Sequence, residues 1–566
     1  MKRFPWQAVF VVVLAVFFTT WQGACGAEGS DSAWDPWDAS RDGRDASGWD
    51  TGPESSGDAS DTSAETDTWL PPEDEVDPDF HAPQGSNRFV YLSNPLGDNV
   101  VVIDSSRLTL DLVEVGDTPT ELATLGMNDA AAVIDSGSND VAVIRTRIGE
   151  PSDVTFEPIA PGANAISVSP DGRYGVTYYD VDARRGERPP NMQEVTLLVF
   201  EPTDAQQAVR TTVRSLPVTV DWTADSTQAF VIGWDGLTVI DFPLVGEGYR
   251  PTHISFGTVP SDPANPESPR VAREVDNVDV SGDGSLAVLS KSSVAEILIL
   301  DIETAELTPI PLPAAPTDVD LSEDGAFALA ALRETGQVAR IDLTAAVPDV
   351  LVTDITGVIA GQVTLTPEGD RAIVFSTAAD QEVIALLDMV TGDSTVVPLQ
   401  KKVRAVAASP DGSVAVVIHQ KKGTGAVGDP YLDPDDPALD PVRDLEEIID
   451  RTYGFSLVRF SDLLVVRQET PCDPGAWLVY PEAQKAFLTL RNDDAGVRQV
   501  LVADLVDFIT DTVTLGSPPV SLGLAPLTRK VFVGQEHAMG RITFIATDGG
   551  PVQTITGFEL NDWIME

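Results

Sequence analysis

The chain has 566 residues, 42% of them hydrophobic, which is long enough to bury a large core. Its 89 acidic and 36 basic residues give a formal net charge of −53. A polyanion of this kind repels nucleic-acid phosphates and anionic lipid headgroups. We therefore expect no nucleic-acid partner and no acidic membrane surface as a partner, whereas cations and basic proteins fit the charge.

The first 24 residues have the pattern of a signal peptide. Lys2 and Arg3 precede the apolar run "AVFVVVLAVFF", whose eleven residues are few for a membrane span. Export to a compartment that permits disulfides is expected. The chain has only two cysteines, Cys25 and Cys472, so it is not a disulfide scaffold.

Cys25 is a candidate lipidation site. It follows the small residues Gly23 and Ala24, and this stretch resembles the lipobox of bacterial lipoproteins, in which the cysteine is lipidated and becomes the mature N-terminus. Gln22 departs from that motif, which prefers an aliphatic residue there. The resemblance implies a membrane-anchored protein that faces the periplasm or the cell surface. Cleavage after Ala27 would instead give a secreted or periplasmic soluble protein.

Residues 25–85 read as an acidic linker. Positions 26–80 hold 17 acidic residues against two basic ones, Arg41 and Arg44, with no hydrophobic period. Such a segment cannot bury enough apolar surface to offset its chain entropy, and like charges extend it. The composition predicts a disordered stalk between a lipid anchor and a folded domain at residues 86–566.

A phrase recurs after residue 86. "SPDGRYGVTY" at 169–178 and "SPDGSVAVVI" at 409–418 share Ser-Pro-Asp-Gly followed by alternating apolar residues, and looser copies lie between them. The turn glycines are Gly172, Gly284, Gly325, Gly369 and Gly412. From Gly284 onward the steps are 41, 44 and 43 residues. Degenerate copies place Ser226, Ala483 and Thr528 at the glycine position, and Asn128 aligns near the start.

Each unit predicts four short antiparallel strands. Apolar residues alternate with period 2, an Asp-Gly turn joins two of the strands, and a later strand often ends in Asp, as in "VVVID" at 100–104. Four strands in 41–45 residues form the blade of a β-propeller. The units resemble the YVTN and quinoprotein-like propeller families. We count nine near-complete units and one partial unit at the N-terminal end that lacks its innermost strand. The fold class is therefore an all-β propeller with about 8–10 repeat units.

Three long insertions are expected on one face of this propeller. Residues 180–194 and 421–454 each follow a second strand, and residues 260–274 lie between two blades. Long loops gathered on one face of a rigid scaffold favour a binding surface. The candidate binding residues in these loops are Arg184, Arg185, Arg188, Asp433, Asp435, Asp436 and Asp440. The arginines could hold a carboxylate or phosphate, or pair with neighbouring acids. The aspartates could supply oxygen ligands to Ca²⁺, although their spacing is not that of an EF-hand.

The sequence favours binding over catalysis. It contains no CxxCH, no nucleophile elbow and no HExxH motif. His419 and His537 each end a second strand and could together bind a metal, but no carboxylate motif accompanies them, so the sequence supports this site only weakly. We expect a monomeric, non-catalytic binding or scaffold protein without a cofactor. Its partner would be a protein, peptide or glycan of the cell envelope. A metal-dependent, lactonase-like propeller hydrolase is the alternative.

Overall fold

The computed structural model describes residues 85–558 except 127, 182–190, 263, 346–347, 422–448, 450–451 and 538. It contains ten antiparallel sheets that pack side by side in a ring, together with one small hairpin. Nine sheets have four strands and the first has three. The predicted all-β propeller is confirmed, and so is the count of nine full units and one partial unit.

The first five blades follow one another along the chain. The strands of blades 1 and 2 are β1 Phe89–Asn94, β2 Asn99–Asp104, β3 Thr109–Glu114; β4 Pro119–Thr124, β5 Ala130–Asp135, β6 Asp140–Arg145, β7 Asp153–Pro158. Those of blades 3 and 4 are β8 Ala165–Val168, β9 Tyr174–Tyr178, β10 Glu194–Val199, β11 Gln207–Thr212; β12 Thr219–Trp222, β13 Gln228–Gly233, β14 Gly236–Asp241, β15 Thr252–Ser255. The hairpin β16 Thr258–Pro260 and β17 Arg270–Ala272 precedes blade 5, which has β18 Asn277–Val280, β19 Leu286–Ser290, β20 Glu296–Asp301, β21 Glu306–Pro311.

The second five blades repeat the same order. The strands of blades 6 and 7 are β22 Asp318–Leu321, β23 Phe327–Leu332, β24 Gln337–Asp342, β25 Asp349–Asp354; β26 Gln362–Leu365, β27 Arg371–Phe375, β28 Val383–Asp388, β29 Ser394–Pro398. Those of blade 8 are β30 Val403–Ala408, β31 Val414–His419, β32 Tyr453–Arg459, β33 Val465–Thr470. Those of blades 9 and 10 are β34 Pro474–Tyr480, β35 Lys485–Asn492, β36 Val497–Asp504, β37 Thr510–Thr514; β38 Pro519–Ala525, β39 Lys530–Gln535, β40 Arg541–Ala546, β41 Gln553–Thr556.

The middle strands of each blade are apolar on both faces because each face packs against a neighbouring blade. In β13, Ala229 and Val231 join the cluster with blade 3. Phe230 and Ile232 join the cluster with blade 5. Outermost strands are half exposed, as in the alternating burial of β41. The hydrophobic core is therefore a series of clusters between blades, and no blade is buried without its neighbours.

The repeated glycines occupy turns that need left-handed backbone. The five predicted turn glycines have φ between 64° and 73°. At Gly172 a Cβ atom would also lie 2.3 Å from the Leu125 carbonyl oxygen. The prediction was wrong by one residue in blades 9 and 10, where Gln484 and Arg529 adopt positive φ instead of Ala483 and Thr528. Prolines start short 3₁₀ turns there, Pro481–Ala483 and Pro526–Thr528, and the connection has four residues where blades 3 to 8 have five.

Blade 10 packs directly against blade 1 and closes the ring. Val90, Leu92, Val101 and Ile103 of blade 1 form one buried cluster with Phe532, Ile542, Phe544 and Phe558. Among residues 85–558, no strand of either blade comes from the other end of the chain. Within the same range, blade 1 has an isolated bridge between Gly85 and Val90 at the place of an innermost strand. We call this junction of blades 1 and 10 the seam.

The two faces of the ring carry different connections. The turn face carries the turns from first to second strand and from third to fourth strand of each blade. The connection face carries the turns from second to third strand and the links between blades. The insertion after β15 forms the β16–β17 hairpin on the connection face. Two further 3₁₀ turns span Thr203–Ala205 and Phe242–Leu244. No helix among the described residues is both long and apolar enough to cross a membrane.

Candidate functional site

The repeated Ser-X-Asp-Gly turn holds its aspartate in a fixed position on the turn face. In blade 5 the Ser281 hydroxyl donates to Asp283 Oδ1 at 2.7 Å, and the Ser285 backbone N–H donates to the same oxygen at 2.9 Å. This side-chain-to-backbone pattern is an Asx turn. The hydroxyl-to-carboxylate bond recurs in blades 3, 4 and 6, at Ser169–Asp171 (2.9 Å), Thr223–Asp225 (2.7 Å) and Ser322–Asp324 (2.8 Å).

These hydrogen bonds keep the carboxylates charged. The pKa values of Asp225, Asp283 and Asp324 all lie below the usual range of an aspartate. The largest cause is a backbone N–H donor for Asp225 and Asp324, and the Ser281 hydroxyl for Asp283. Asp225, Asp283 and Asp324 therefore present negative charges to solvent at neutral pH.

Neighbouring turns stack and enclose a concavity. The Ala224 backbone N–H donates to the Gly282 carbonyl at 2.8 Å, which joins the turn of blade 4 to that of blade 5. The turns of blades 4 to 7 together line a space of about 600 Å³. We call it the acidic concavity; its carboxylates and its one aromatic ring belong to Asp225, Asp283, Glu323, Asp324, Glu368 and Phe327.

The acidic concavity can attract positively charged groups. None of its lining residues is Lys, Arg or His. Several like charges around one concave surface reinforce each other's field, so a cation is attracted and an anionic ligand is repelled. The ring of Phe327, which is 8% exposed, also lines the concavity, and the Arg340 guanidinium lies over it with Cζ 4.6 Å from the ring centroid.

The candidate residues of the long loops lie outside the described residues. This holds for Cys25, Arg184, Arg185 and Arg188, and for Asp433, Asp435, Asp436 and Asp440. The ends of the insertions are described: the first leaves β9 and enters β10, and the second leaves β31 and enters β32. Both connect a second strand to a third strand, so both begin and end on the connection face, as the strand order predicts.

A buried lysine fixes the end of the second insertion. Lys401 is 1% exposed, and its ammonium donates to the carbonyl oxygens of Ile449 and Thr452. Ile449 is itself buried. A buried ammonium is stable only when its N–H groups are bonded, so this contact holds the chain where it returns to β32.

His419 and His537 do not form the metal pair that the sequence suggested. His419 is fully buried, with Nε2 2.7 Å from Ser456 Oγ and Nδ1 3.2 Å from the Lys402 carbonyl oxygen. Nδ1 of His537 instead accepts the Met539 backbone N–H. Within the described part of the chain, no group of three or more His, Cys, Asp or Glu side chains is arranged to hold a metal ion.

Carboxylates on the innermost strands connect neighbouring blades. Oδ2 of Asp318 accepts the Val363 backbone N–H at 2.8 Å, and Oδ2 of Asp320 accepts that of Leu365 at 2.7 Å. Asp221 has the position in β12 that Asp320 has in β22. Burial raises the pKa of Asp221 to about 7. Asp318 and Asp320 thus join blades 6 and 7, and none of these three acids lines the acidic concavity.

Sequence reasoning identified the turns but missed the site they form. The repeated Asp-Gly phrase was interpreted as a signal for the fold alone. Its aspartates also recur on one face in blades 3, 4, 5, 6 and 8, and that regular placement is the available signal for the site. Which four turns enclose a concavity depends on how neighbouring turns stack, and this is not visible in the spacing.

No protein-family model matches the chain, and no curated protein shows significant sequence similarity to it. Similar solved structures include hydrazine synthase of Kuenenia stuttgartiensis, with 14% identity and a TM-score of 0.33 over 60% of this chain and 95% of that chain. A eukaryotic initiation factor has 9% identity and a TM-score of 0.44 over 76% and 96%. The β-propeller domain of Cps50 (Swd1) from Myceliophteria thermophila has 9% identity and a TM-score of 0.33 over 59% and 99%. At such low sequence identities, these structural matches bear on the fold alone and not on function.

Proposed function

We propose that this β-propeller is a non-catalytic binding protein of the cell envelope, anchored by a lipid on Cys25, whose acidic concavity binds a basic segment of a protein or peptide. The propeller fold is compatible with a binding or scaffold role. The observation that carries the proposal is the concavity of about 600 Å³ lined by five carboxylates and no basic residue. This lining favours a cationic peptide over a neutral glycan, because only a cation gains from the field.

The turn carboxylates support recognition rather than chemistry. Their oxygens already accept hydrogen bonds from the turn, and their pKa values are lowered, so they remain charged and do not exchange protons near neutral pH. A rigid array of fixed negative charges instead selects a partner by charge and raises its rate of association.

Neutralising two carboxylates should weaken binding of a cationic peptide. Glu323 and Glu368 line the concavity without a hydrogen bond to their own turn among those described, so Glu323→Gln with Glu368→Gln should leave the fold intact. We expect roughly a 3- to 10-fold loss of affinity for a lysine-rich decapeptide, since two close charges contribute about 1 kcal/mol. Fluorescence anisotropy with the labelled peptide at low salt measures this.

A matched control separates a site from general attraction. Glu114 and Asp511 are exposed on the outermost strands of blades 1 and 9, and Glu114→Gln with Asp511→Asn removes the same charge. The control should alter affinity less than about twofold. Equal losses in both double variants would show that the peptide responds only to net charge, and the concavity would not be the site.

The lipid anchor has its own test. Cys25→Ser should abolish incorporation of a labelled fatty acid into the protein expressed in its own cells, because the thiol is the atom that a lipobox modifies. The label is detected after electrophoresis of the immunoprecipitated protein. Cys472→Ser, which changes a cysteine that is 1% exposed, should keep the label and serves as the control. Labelling that persists without Cys25 would contradict the anchor.

A further inference from the structure

Two carboxyl groups face each other at the end of the blade 2 hairpin, on the connection face. Asp135 ends β5, Asp140 begins β6, and the two residues are direct cross-strand partners. Asp135 is 0% exposed. Its Oδ2 accepts the Gly116 backbone N–H at 3.0 Å, whereas its Oδ1 has no hydrogen-bond partner. A buried ionised oxygen without a donor is costly, so this atom needs an explanation.

The charges that act on Asp135 in the described structure come from carboxylates. The guanidinium of Arg210, on β11, donates to the carbonyl of Ile159, the residue after Pro158. On its own hairpin, the Ser138 hydroxyl donates to Asp140 Oδ1 at 3.1 Å. The turn of blade 1 contributes Asp98, and the link between blades 1 and 2 contributes Asp117. The neighbouring strand β7 places Pro158 opposite Asp140, with Glu157 next to it.

Titration of Asp135 is shifted by these surroundings. Burial raises its pKa to about 7, against the hydrogen bond from Gly116, and the carboxylates of Asp140 and Asp98 raise it further. Neither Asp135 nor Asp140 forms an ion pair with a Lys or Arg of the described chain. Two ionised carboxylates directly opposite each other would repel.

Blade 1 has amide side chains at the positions that correspond to Asp135 and Asp140. There the corresponding cross-strand pair is Asn94 and Asn99, and Nδ2 of Asn94 lies 3.5 Å from Oδ1 of Asn99. Asn94 is also buried, at 3% exposure. An amide at this position donates across the hairpin. A protonated carboxyl group has the same shape as an amide and can donate in the same direction.

We propose that Asp135 carries a proton in the native protein and donates it as a hydrogen bond to the Asp140 carboxylate, so that a single proton latches the blade 2 hairpin. The latch includes the Gly116 N–H bond, which ties the hairpin to the link between blades 1 and 2. Alkaline conditions remove the proton, place two negative charges in contact and loosen this junction. The compartment's pH would therefore set how firmly the first two blades are joined.

The variant Asp135→Asn tests the latch. Because the folded pKa is raised, the native protein binds this proton more tightly than the unfolded chain. The stability it gives is complete below about pH 4 and is lost as the pH rises to about 7. Relative to the wild type, Asp135→Asn should therefore gain thermal stability between these pH values, and the gap should stay constant above about pH 8. Asn94 shows that an amide is accommodated at this position.

Two further measurements complete the test: hydrogen exchange near Gly116, and the melting temperature with and without Ca²⁺. Hydrogen exchange of the peptide containing Gly116, corrected for intrinsic rates, should accelerate above about pH 7 in the wild type and not in Asp135→Asn. Asp117→Asn, a neighbouring change, should keep the wild-type acceleration. The same pH profile in Asp135→Asn and the wild type would overturn the proposal. So would a Ca²⁺-dependent rise in melting temperature confined to the wild type, because a cation would then take the place of the proton.

Discussion

Phe544→Ala should lower the free energy of unfolding by about 3–5 kcal/mol and open the seam. Phe544 is fully buried in the cluster that joins blades 1 and 10, with its ring centroid 6.5 Å from that of Phe532. Removing the ring leaves a cavity at the one junction between blades that the chain does not cross in sequence. Denaturant unfolding gives the loss of stability. Hydrogen exchange of β1 and β2 shows where the structure opens.

Phe230→Ala is the matched control for this effect. Phe230 is also fully buried, but its cluster joins blades 4 and 5, which are linked by the chain. Its loss should lower global stability by a similar amount and accelerate exchange in β13 and β19, leaving β1 protected. Unchanged hydrogen-exchange protection of β1 and β2 in Phe544→Ala would mean that the Phe544 cluster does not hold the propeller closed at the seam.

His419 should make the protein sensitive to acid. Burial lowers the pKa of His419 to about 3, and the charges of Lys401 and Arg467 act in the same direction, against the hydrogen bond to the Lys402 carbonyl. The native ring is neutral, whereas the unfolded chain binds a proton below about pH 6.5. Stability is therefore complete above about pH 6.5 and is lost as the pH falls toward 3, by roughly 4–5 kcal/mol at most.

The variant His419→Asn isolates this contribution. Asn can still donate to the Lys402 carbonyl but does not titrate, so the variant should be about 1–3 kcal/mol less stable at neutral pH and should lose less stability in acid. Asp135 and Asp221 titrate in both proteins and cancel in the difference. His537→Asn, at a half-buried position, should keep the wild-type profile. Parallel acid profiles for wild type and His419→Asn would show that this histidine does not govern acid unfolding.

The fold could be predicted because its signals are local. An Asp-Gly turn needs left-handed backbone at one residue, and period-2 strands must follow on both sides of it, so each copy of the phrase specifies half a blade. The prediction of the left-handed residue fails where prolines favour a different local structure. In blades 9 and 10 the prolines at 481 and 526 start a 3₁₀ turn, and the left-handed residue moves to Gln484 and Arg529.

The candidate site was harder to predict because it depends on contacts between units. The carboxylates of Asp225 and Glu368 lie far apart in the sequence and line one concavity only after four turns have stacked. The burial of Asp135 likewise depends on the link around Gly116, which covers it from the preceding blade. The predicted binding residues belong to the long loops and lie outside the described residues, whereas the acidic concavity is built from short turns.

The bridge between Gly85 and Val90 has a mechanical consequence. The segment that precedes Gly85 joins the ring at the inner edge of blade 1, where the described residues form one bridge instead of a full strand. A pull on that segment would act first on this single bridge and on the Ser86 contacts with Phe89 and Asp129. Such a load peels bonds one at a time instead of shearing a whole strand. A force on this segment would therefore break contacts near the axis and beside the seam before it disrupted the rest of the propeller.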